Sequence, residues 1–140
     1  MKGAHPTGFW IGNMLGAGAL ALGLLVLVGW YSHSVTLIQV LPAFVPMQYN
    51  TALGFAVCGA GVLSIVNERR SLALSFGAFG FLLGFLTLVE YVFAVDLQID
   101  QLAMEHYITV ETSHPGRMAP NTALCFTLTG LGITTLALPR

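Results

Sequence analysis

The chain has 140 residues, of which 56% are hydrophobic and 8% are charged, and its formal net charge is −1. Soluble domains carry about 25% charged residues, so this composition excludes a protein whose whole surface faces water. It predicts a membrane protein, and the chain length predicts a single domain.

Four apolar segments, each of roughly 20 residues, are long enough to cross a bilayer as helices. They cover residues 9–31, 47–66, 71–95 and 118–138, and Glu90 is the only charged residue within them. Strands of a membrane barrel would instead be alternating segments of about ten residues. The sequence therefore predicts an all-α fold, a polytopic membrane four-helix bundle.

The basic residues predict the orientation of these spans. Lys2, Arg69, Arg70 and Arg140 lie on one side of the predicted spans, whereas the other side has only Arg117. The positive-inside rule places the more basic side in the cytoplasm. Both termini are therefore expected to be cytoplasmic.

Nearly the same nine residues occur twice in the chain. "MQYNTALGF" begins at Met47 and "MAPNTALCF" begins at Met118, and eight of fifteen positions match at an offset of 71. The preceding segments align at an offset of 61, which pairs Gly16 with Gly77. The pattern predicts a duplicated helical hairpin, with both copies pointing the same way and ten extra residues in the second outer loop.

Each copy of the repeat has an asparagine at the predicted start of a helix, Asn50 in the first and Asn121 in the second. One interpretation is that both asparagines are N-caps that bond the first backbone N–H groups of their helices. The other is that they converge on a ligand near the outer face, where two helix N-termini offer partial positive charge. Pro120 suits the first turn of its helix in either case.

Glycines recur at a spacing of four in the first and third predicted helices. Gly8, Gly12 and Gly16 form one set, and Gly80 and Gly84 form the other. Such spacing lets two helices approach closely. Packing inside the bundle is expected ahead of dimerisation through these faces.

Histidine and methionine are the residues that suggest a metal or cofactor. The outer side contains His33, His106 and His114, with Met47 and Met118 nearby in the sequence. Imidazole and thioether groups together suit haem or copper. Because the sequence has no H-x-x-x-H pair, the alternative is that these loop histidines titrate freely in water.

Glu90 is the one ionisable residue inside a predicted span, and its repeat counterpart is Gly29. An acid within the membrane suggests a function such as proton sensing or cation pairing. Its position near the outer end also allows an interfacial role in which it pairs with Arg117. A ligand is expected between the two helix starts, with Glu90 and the loop 96–117 on the lid side. The spacing of apolar residues in that loop predicts a short amphipathic helix.

The strings "DLQIDQL" and "HPGRMAPNTALCF" in the second half of the chain resemble a known family. It is the four-helix membrane input module found N-terminal to PAS, diguanylate-cyclase or histidine-kinase domains of bacterial signalling proteins. The resemblance extends over essentially the whole chain, and "GRMAPNTALCF" is its most specific part. It implies a multi-pass protein of the bacterial inner membrane and an output domain beyond residue 140.

Two functions of different classes are therefore expected. The first is a non-enzymatic sensory input module that relays a periplasmic or membrane signal to a cytoplasmic output domain, since no catalytic constellation is visible. The alternative is a small accessory subunit of a respiratory or photosynthetic membrane complex, holding haem or pigment through a histidine. The expected partners are the lipid bilayer and an output domain or other membrane subunits, in an oligomer or complex, and not nucleic acid.

Overall fold

The computed structural model describes residues 6–39, 45–108 and 114–139. In these ranges all the secondary structure is helical, which confirms the all-α part of the predicted fold class. The helices are α1 (Pro6–Tyr31), α2 (Val35–Ile38), α3 (Tyr49–Val66), α4 (Arg70–Phe93) and α5 (Pro120–Ala137). The four long helices coincide with the four predicted segments, and their ends differ by a few residues.

Three helices are long and apolar enough to cross a membrane: α1, α3 and α4. The fourth long helix, α5, is uncharged but carries five threonines, which lower its hydropathy. Three of their hydroxyl groups donate to carbonyls of the same helix, those of Thr127, Thr134 and Thr135. The polarity of α5 is therefore largely satisfied within the helix itself.

The long helices pack as two pairs that are joined by α3. α1 packs along α3, α4 packs along α5, and α3 also contacts both α4 and α5. Among the helices of the described ranges, α1 contacts only α3 and α2. The arrangement is thus a cluster of α3, α4 and α5 with α1 attached to one side of α3.

Close backbone contacts in the two helix pairs occur at corresponding positions of the sequence repeat. Gly23 of α1 faces the carbonyl of Ala52 in α3, and Gly84 of α4 faces the carbonyl of Ala123 in α5. A Cβ atom at Gly84 would lie 2.5 Å from that carbonyl oxygen, so only glycine permits this approach. Gly23 and Gly84 are 61 residues apart, and Ala52 and Ala123 are 71 residues apart. These are the two offsets found in the sequence.

Four of the five glycines with this spacing face a neighbouring helix of the same chain, and Gly8 does not. Gly12 and Gly16 face Val66 and Leu63 of α3, Gly80 faces Cys58 of α3, and Gly84 faces α5. By contrast, a Cβ atom added at Gly8, Gly18 or Gly132 would meet no other group within 4 Å.

The predicted N-capping role of the two asparagines is wrong. α3 begins at Tyr49 and α5 at Pro120, which places both asparagines at the second helical position. The capping positions are Gln48 and Ala119, whose backbones are extended, and neither helix has a side-chain cap. Pro120 does occupy the first turn, where its fixed φ angle favours starting the helix there.

The short amphipathic helix predicted in the second outer loop is absent from its described residues, 95–108 and 114–119. Residues 109–113 of the loop lie outside the described ranges. Local bonds explain the difference: the backbone N–H of Gln98 donates to Asp96, and that of His106 donates to Gln101. Such side-chain acceptors compete with helical hydrogen bonds, and Gln98 also has a positive φ of 59°.

Candidate ligand-binding site

Arg117, immediately before α5, is at the centre of a buried ionic cluster. Its Nε atom lies 2.6 Å from Oδ2 of Asp100 and 3.4 Å from Oε2 of Glu90. A terminal nitrogen lies 3.9 Å from Oδ1 of the exposed Asp96. The pairing of Glu90 with Arg117 that the sequence suggested is therefore present. The loop residues Asp96 and Asp100 complete what we call the ionic cluster: Glu90, Asp96, Asp100 and Arg117.

Local structure on both sides of the loop positions this cluster. Glu90 lies in the last turn of α4, and its Oε1 accepts a hydrogen bond of 2.9 Å from the backbone N–H of Leu97. Gly116 has a φ of 82°, and a Cβ atom there would lie 2.6 Å from the carbonyl oxygen of Asp100. A glycine is therefore needed directly before Arg117 to let the chain approach the loop.

The ionic cluster contains three carboxylates and one guanidinium. The side chain of Glu90 is 0% exposed and that of Arg117 is 7% exposed. Burial lowers the pKa of Arg117, but the hydrogen bond to Asp100 and the charges of Asp100 and Glu90 outweigh it and raise this pKa above its ordinary value. Arg117 therefore stays charged, and negative charge exceeds positive charge in the cluster.

Asn50 connects α3 to the same loop. Its Nδ2 donates to the backbone carbonyls of Ile99, over 3.1 Å, and Asp100, over 3.4 Å. Its repeat counterpart Asn121 is exposed, and its side-chain oxygen accepts from the N–H of Thr122. The two asparagines thus share a repeat position but not an environment, and the structure does not show them converging on one ligand.

A cleft of about 420 Å³ lies between the starts of α3 and α5, the location that the sequence suggested for a ligand. One lining residue is Gln48, which is 7% exposed and whose Oε1 is buried without a hydrogen-bond partner. Tyr91 also lines the cleft, and its hydroxyl donates to the carbonyl of Met118. The remaining lining residues are Val45, Pro46, Met47, Thr51, His114, Arg117, Ala119, Pro120 and Thr122.

A second hollow of about 370 Å³ lies on the other side of Arg117. Six of its seven lining residues are polar or charged, and the seventh is Pro115: Asp96, Gln98, Asp100, Gln101, His114, Pro115 and Arg117. Arg117 and His114 line both the cleft and the hollow, so a displacement of either side chain changes the shape of both.

The predicted histidine and methionine ligands divide between two places, the aromatic pair of Trp30 and Tyr107 and the ring of Tyr91. The His33 ring stacks on Tyr107 at 4.5 Å between centroids, and the His106 ring lies 5.6 Å from that of Trp30. His114 instead lies beside Tyr91, at 6.1 Å.

The two methionines differ in the same way. Met118 is buried in the core formed by α3, α4 and α5, whereas Met47 packs with Trp30 in the core between α1 and α3. In the described residues, the one group of acidic, histidine or cysteine side chains close enough to share a metal is Glu90, Asp96 and Asp100. None of the three predicted histidines belongs to this group.

Several site residues were not found from the sequence. Asp100 was one acid among several in a long loop, and Gln48 had no signal beyond its place before a helix. Tyr91, next to Glu90 in the sequence, was not singled out as a site residue. Its ring also lies 5.5 Å from the guanidinium carbon of Arg117, a distance that allows a cation–π contact.

Comparison of the chain with protein-family models, with curated proteins and with solved structures finds no match. The chemistry of the cleft and of the ionic cluster is therefore the basis for proposing a function.

Proposed function

We propose that this chain is a non-enzymatic sensory input module that spans the membrane four times and binds a small polar ligand in the cleft. The observation that carries the proposal is the position of Arg117. It borders the cleft, pairs with α4 and the loop, and is three residues before the start of α5. A ligand that moves Arg117 also moves the beginning of α5.

The proposal of four spans extends the three helices that are apolar enough to cross. α5 contains no charged residue, and threonines that bond back to helix carbonyls are tolerated in hydrocarbon. α5 also packs along α4 through the close contacts at Gly84 and Gly130. The matching contacts in the α1–α3 pair support the proposal that the bundle arose from a duplicated hairpin.

The cleft offers complementary groups to a polar ligand. Oε1 of Gln48 is a buried acceptor without a donor, and the first turns of α3 and α5 have no side-chain cap. A ligand that fits both features carries a donor for Gln48 and an acceptor for helix N–H groups. The surplus negative charge of the ionic cluster favours a neutral or zwitterionic molecule over an anion.

The proposed direction of signalling is from the outer side of a bacterial inner membrane to the cytoplasm. The resemblance to input modules and the distribution of basic residues both support cytoplasmic termini. The C-terminal end of α5 then lies next to the output domain that the resemblance implies.

A chimeric sensor tests this proposal. The chain is fused after residue 140 to a diguanylate-cyclase catalytic domain, and cyclic dinucleotide output is measured in membranes of equal protein content. Glu90→Gln and Gln48→Met, which keep side-chain volume, are expected to shift the output while the thermal stability of the protein changes little. Glu105→Gln, an exposed acid of the same loop, is the matched control. Output that follows stability alone in all three variants would contradict the sensory role.

One observation favours the alternative, an accessory subunit of a larger membrane complex. α1 packs on α3 alone among the long helices of the described ranges, and it exposes Trp10, Met14 and Leu15, each at least 66% exposed. A partner subunit would cover this face, whereas a sensor would leave it to lipid. Purification in mild detergent distinguishes the two: a stoichiometric membrane partner, or haem or pigment absorption, supports the subunit.

A further inference from the structure

We propose that Glu90, Asp96 and Asp100 bind a divalent cation of the size of Ca²⁺. The first observation is the balance of charge. The ionic cluster has three carboxylates for one guanidinium, and two of the carboxylates are buried: Glu90 at 0% and Asp100 at 8% exposure. Buried charge is costly when it is not neutralised, and the two buried carboxylates exceed the one guanidinium by one formal charge. The exposed Asp96 brings the formal surplus to two negative charges, the charge of one divalent ion.

The second observation is independent of charge and concerns unused acceptor atoms. Oε2 of Glu90 and Oδ1 of Asp100 are buried and have no hydrogen-bond partner in the structure. Nε of Arg117 donates to the other oxygen of Asp100, Oδ2, and its salt bridge to Oε2 of Glu90, at 3.4 Å, includes no hydrogen bond. Buried polar atoms nearly always have a partner, so these two oxygens point to a bound cation.

The spacing of the oxygens suits a single ion. One carboxylate oxygen from each of the three residues lies within 4.8 Å of the other two. Ca²⁺ binds oxygens at 2.3–2.6 Å, which allows two ligands to be as far as about 5 Å apart. Mg²⁺ binds at 2.0–2.1 Å and needs ligands closer than about 4.2 Å, so Ca²⁺ is the ion to test first.

The cation also has a path to this position and room for further ligands. Asp96 and Asp100 line the polar hollow of about 370 Å³, and the side chain of Asp96 is 73% exposed at its edge. Ca²⁺ takes six to eight oxygens, and water in the hollow provides those that the three carboxylates do not. Glu90 then closes the inner side of the site, next to α4.

Equilibrium binding of radioactive Ca²⁺ to the purified full chain tests the site. The protein is kept in a non-ionic detergent, so that lipid phosphates do not compete for the ion. The expected result is one Ca²⁺ per chain, with affinity about tenfold or more weaker in Asp96→Asn because one charged ligand is lost. Asp96 is mostly exposed, so this variant is expected to keep its fold. Ca²⁺ should also raise the Tm of the unmodified chain more than that of Asp96→Asn.

Glu105→Gln is the matched control, because Glu105 is an exposed acid of the same loop outside the ionic cluster. It should bind Ca²⁺ as the unmodified chain does. The proposal is overturned if the unmodified chain shows no saturable binding, or if Asp96→Asn binds as tightly as Glu105→Gln. Binding is measured here without any signalling readout, so the result is separate from that of the chimeric sensor.

Discussion

Asn50 donates a hydrogen bond of 3.1 Å from Nδ2 to the backbone carbonyl of Ile99. This bond joins the first helix pair to the loop of the second, since Asn50 belongs to α3 and Ile99 follows α4. Its counterpart Asn121 makes only a local bond to Thr122. The extra residues of the second loop thus give one of two repeated asparagines a role that the other does not have.

The two asparagines are therefore expected to differ in their effect on stability. Asn50→Ala leaves buried loop carbonyls without their donor and should lower the free energy of unfolding by about 1–2 kcal/mol. Asn121→Ala removes an exposed local bond and should change it by less than about 0.5 kcal/mol. Denaturant unfolding in detergent micelles measures both variants. Equal losses of unfolding free energy in the two variants would show that the bond from Asn50 to the loop adds no more stability than the local bond of Asn121.

The positions of the long helices could be predicted because they depend on long uncharged segments, which are local properties of the sequence. The pairing of Glu90 with Arg117 was also predictable, because few charges were available on that side. The role of Asp100 was not, because it depends on the path of a loop. That path is determined by positive φ angles at Gln98 and Gly116, and by bonds to Asn50 and Leu97 that join residues far apart in the sequence or in different elements.

The errors at the helix starts have a related cause. Asparagine is a preferred N-cap, but the extended backbones at Gln48 and Ala119 start both helices one residue before the asparagine. The preference of asparagine for N-cap positions predicted both helices correctly, but it assigned the asparagines to the wrong position within them. The helix predicted in the loop does not form, because backbone N–H groups donate to the side chains of Asp96 and Gln101. The spacing of apolar residues, on which that prediction relied, carries no information about such hydrogen bonds.

Removal of the guanidinium should have the largest effect of any single change in the ionic cluster. Arg117→Gln leaves Glu90 and Asp100 buried without a counter-charge, and the expected loss is about 3–5 kcal/mol. Unfolding is measured at neutral pH in the presence of EDTA, so that no divalent ion replaces the arginine. Arg69→Gln is the control, since Arg69 is exposed, and it should change stability by less than about 0.5 kcal/mol.

A second substitution distinguishes buried charge from lost packing in this experiment. In the Arg117→Gln background, Asp100→Asn removes one of the two buried charges and should recover part of the stability. If the double variant is as unstable as the sum of the two single variants, the loss in Arg117→Gln comes from packing and not from charge.

Cysteine labelling tests the predicted orientation in the membrane. Glu68 lies in the exposed turn between α3 and α4, and Leu102 in the loop between α4 and α5 is 81% exposed. With Cys58 and Cys125 changed to serine, Leu102→Cys should react with a membrane-impermeant maleimide in intact cells whose outer membrane has been permeabilised. Glu68→Cys should react only after the inner membrane is opened. The reverse pattern would show that the distribution of basic residues gives the wrong orientation.

The last prediction concerns two glycines of α5 that are two residues apart and have opposite surroundings. A Cβ atom at Gly130 would lie 2.6 Å from the carbonyl oxygen of Gly77 and closer still to the backbone of Phe81, whereas one at Gly132 would meet nothing within 4 Å. Gly130→Ala should therefore separate α4 from α5 and cost about 1–3 kcal/mol. Gly132→Ala should be neutral or stabilise α5 by up to about 1 kcal/mol, because alanine favours helix. Thermal unfolding of both variants in one detergent gives the comparison, and the same response from both would mean that α4 and α5 do not approach each other at Gly130.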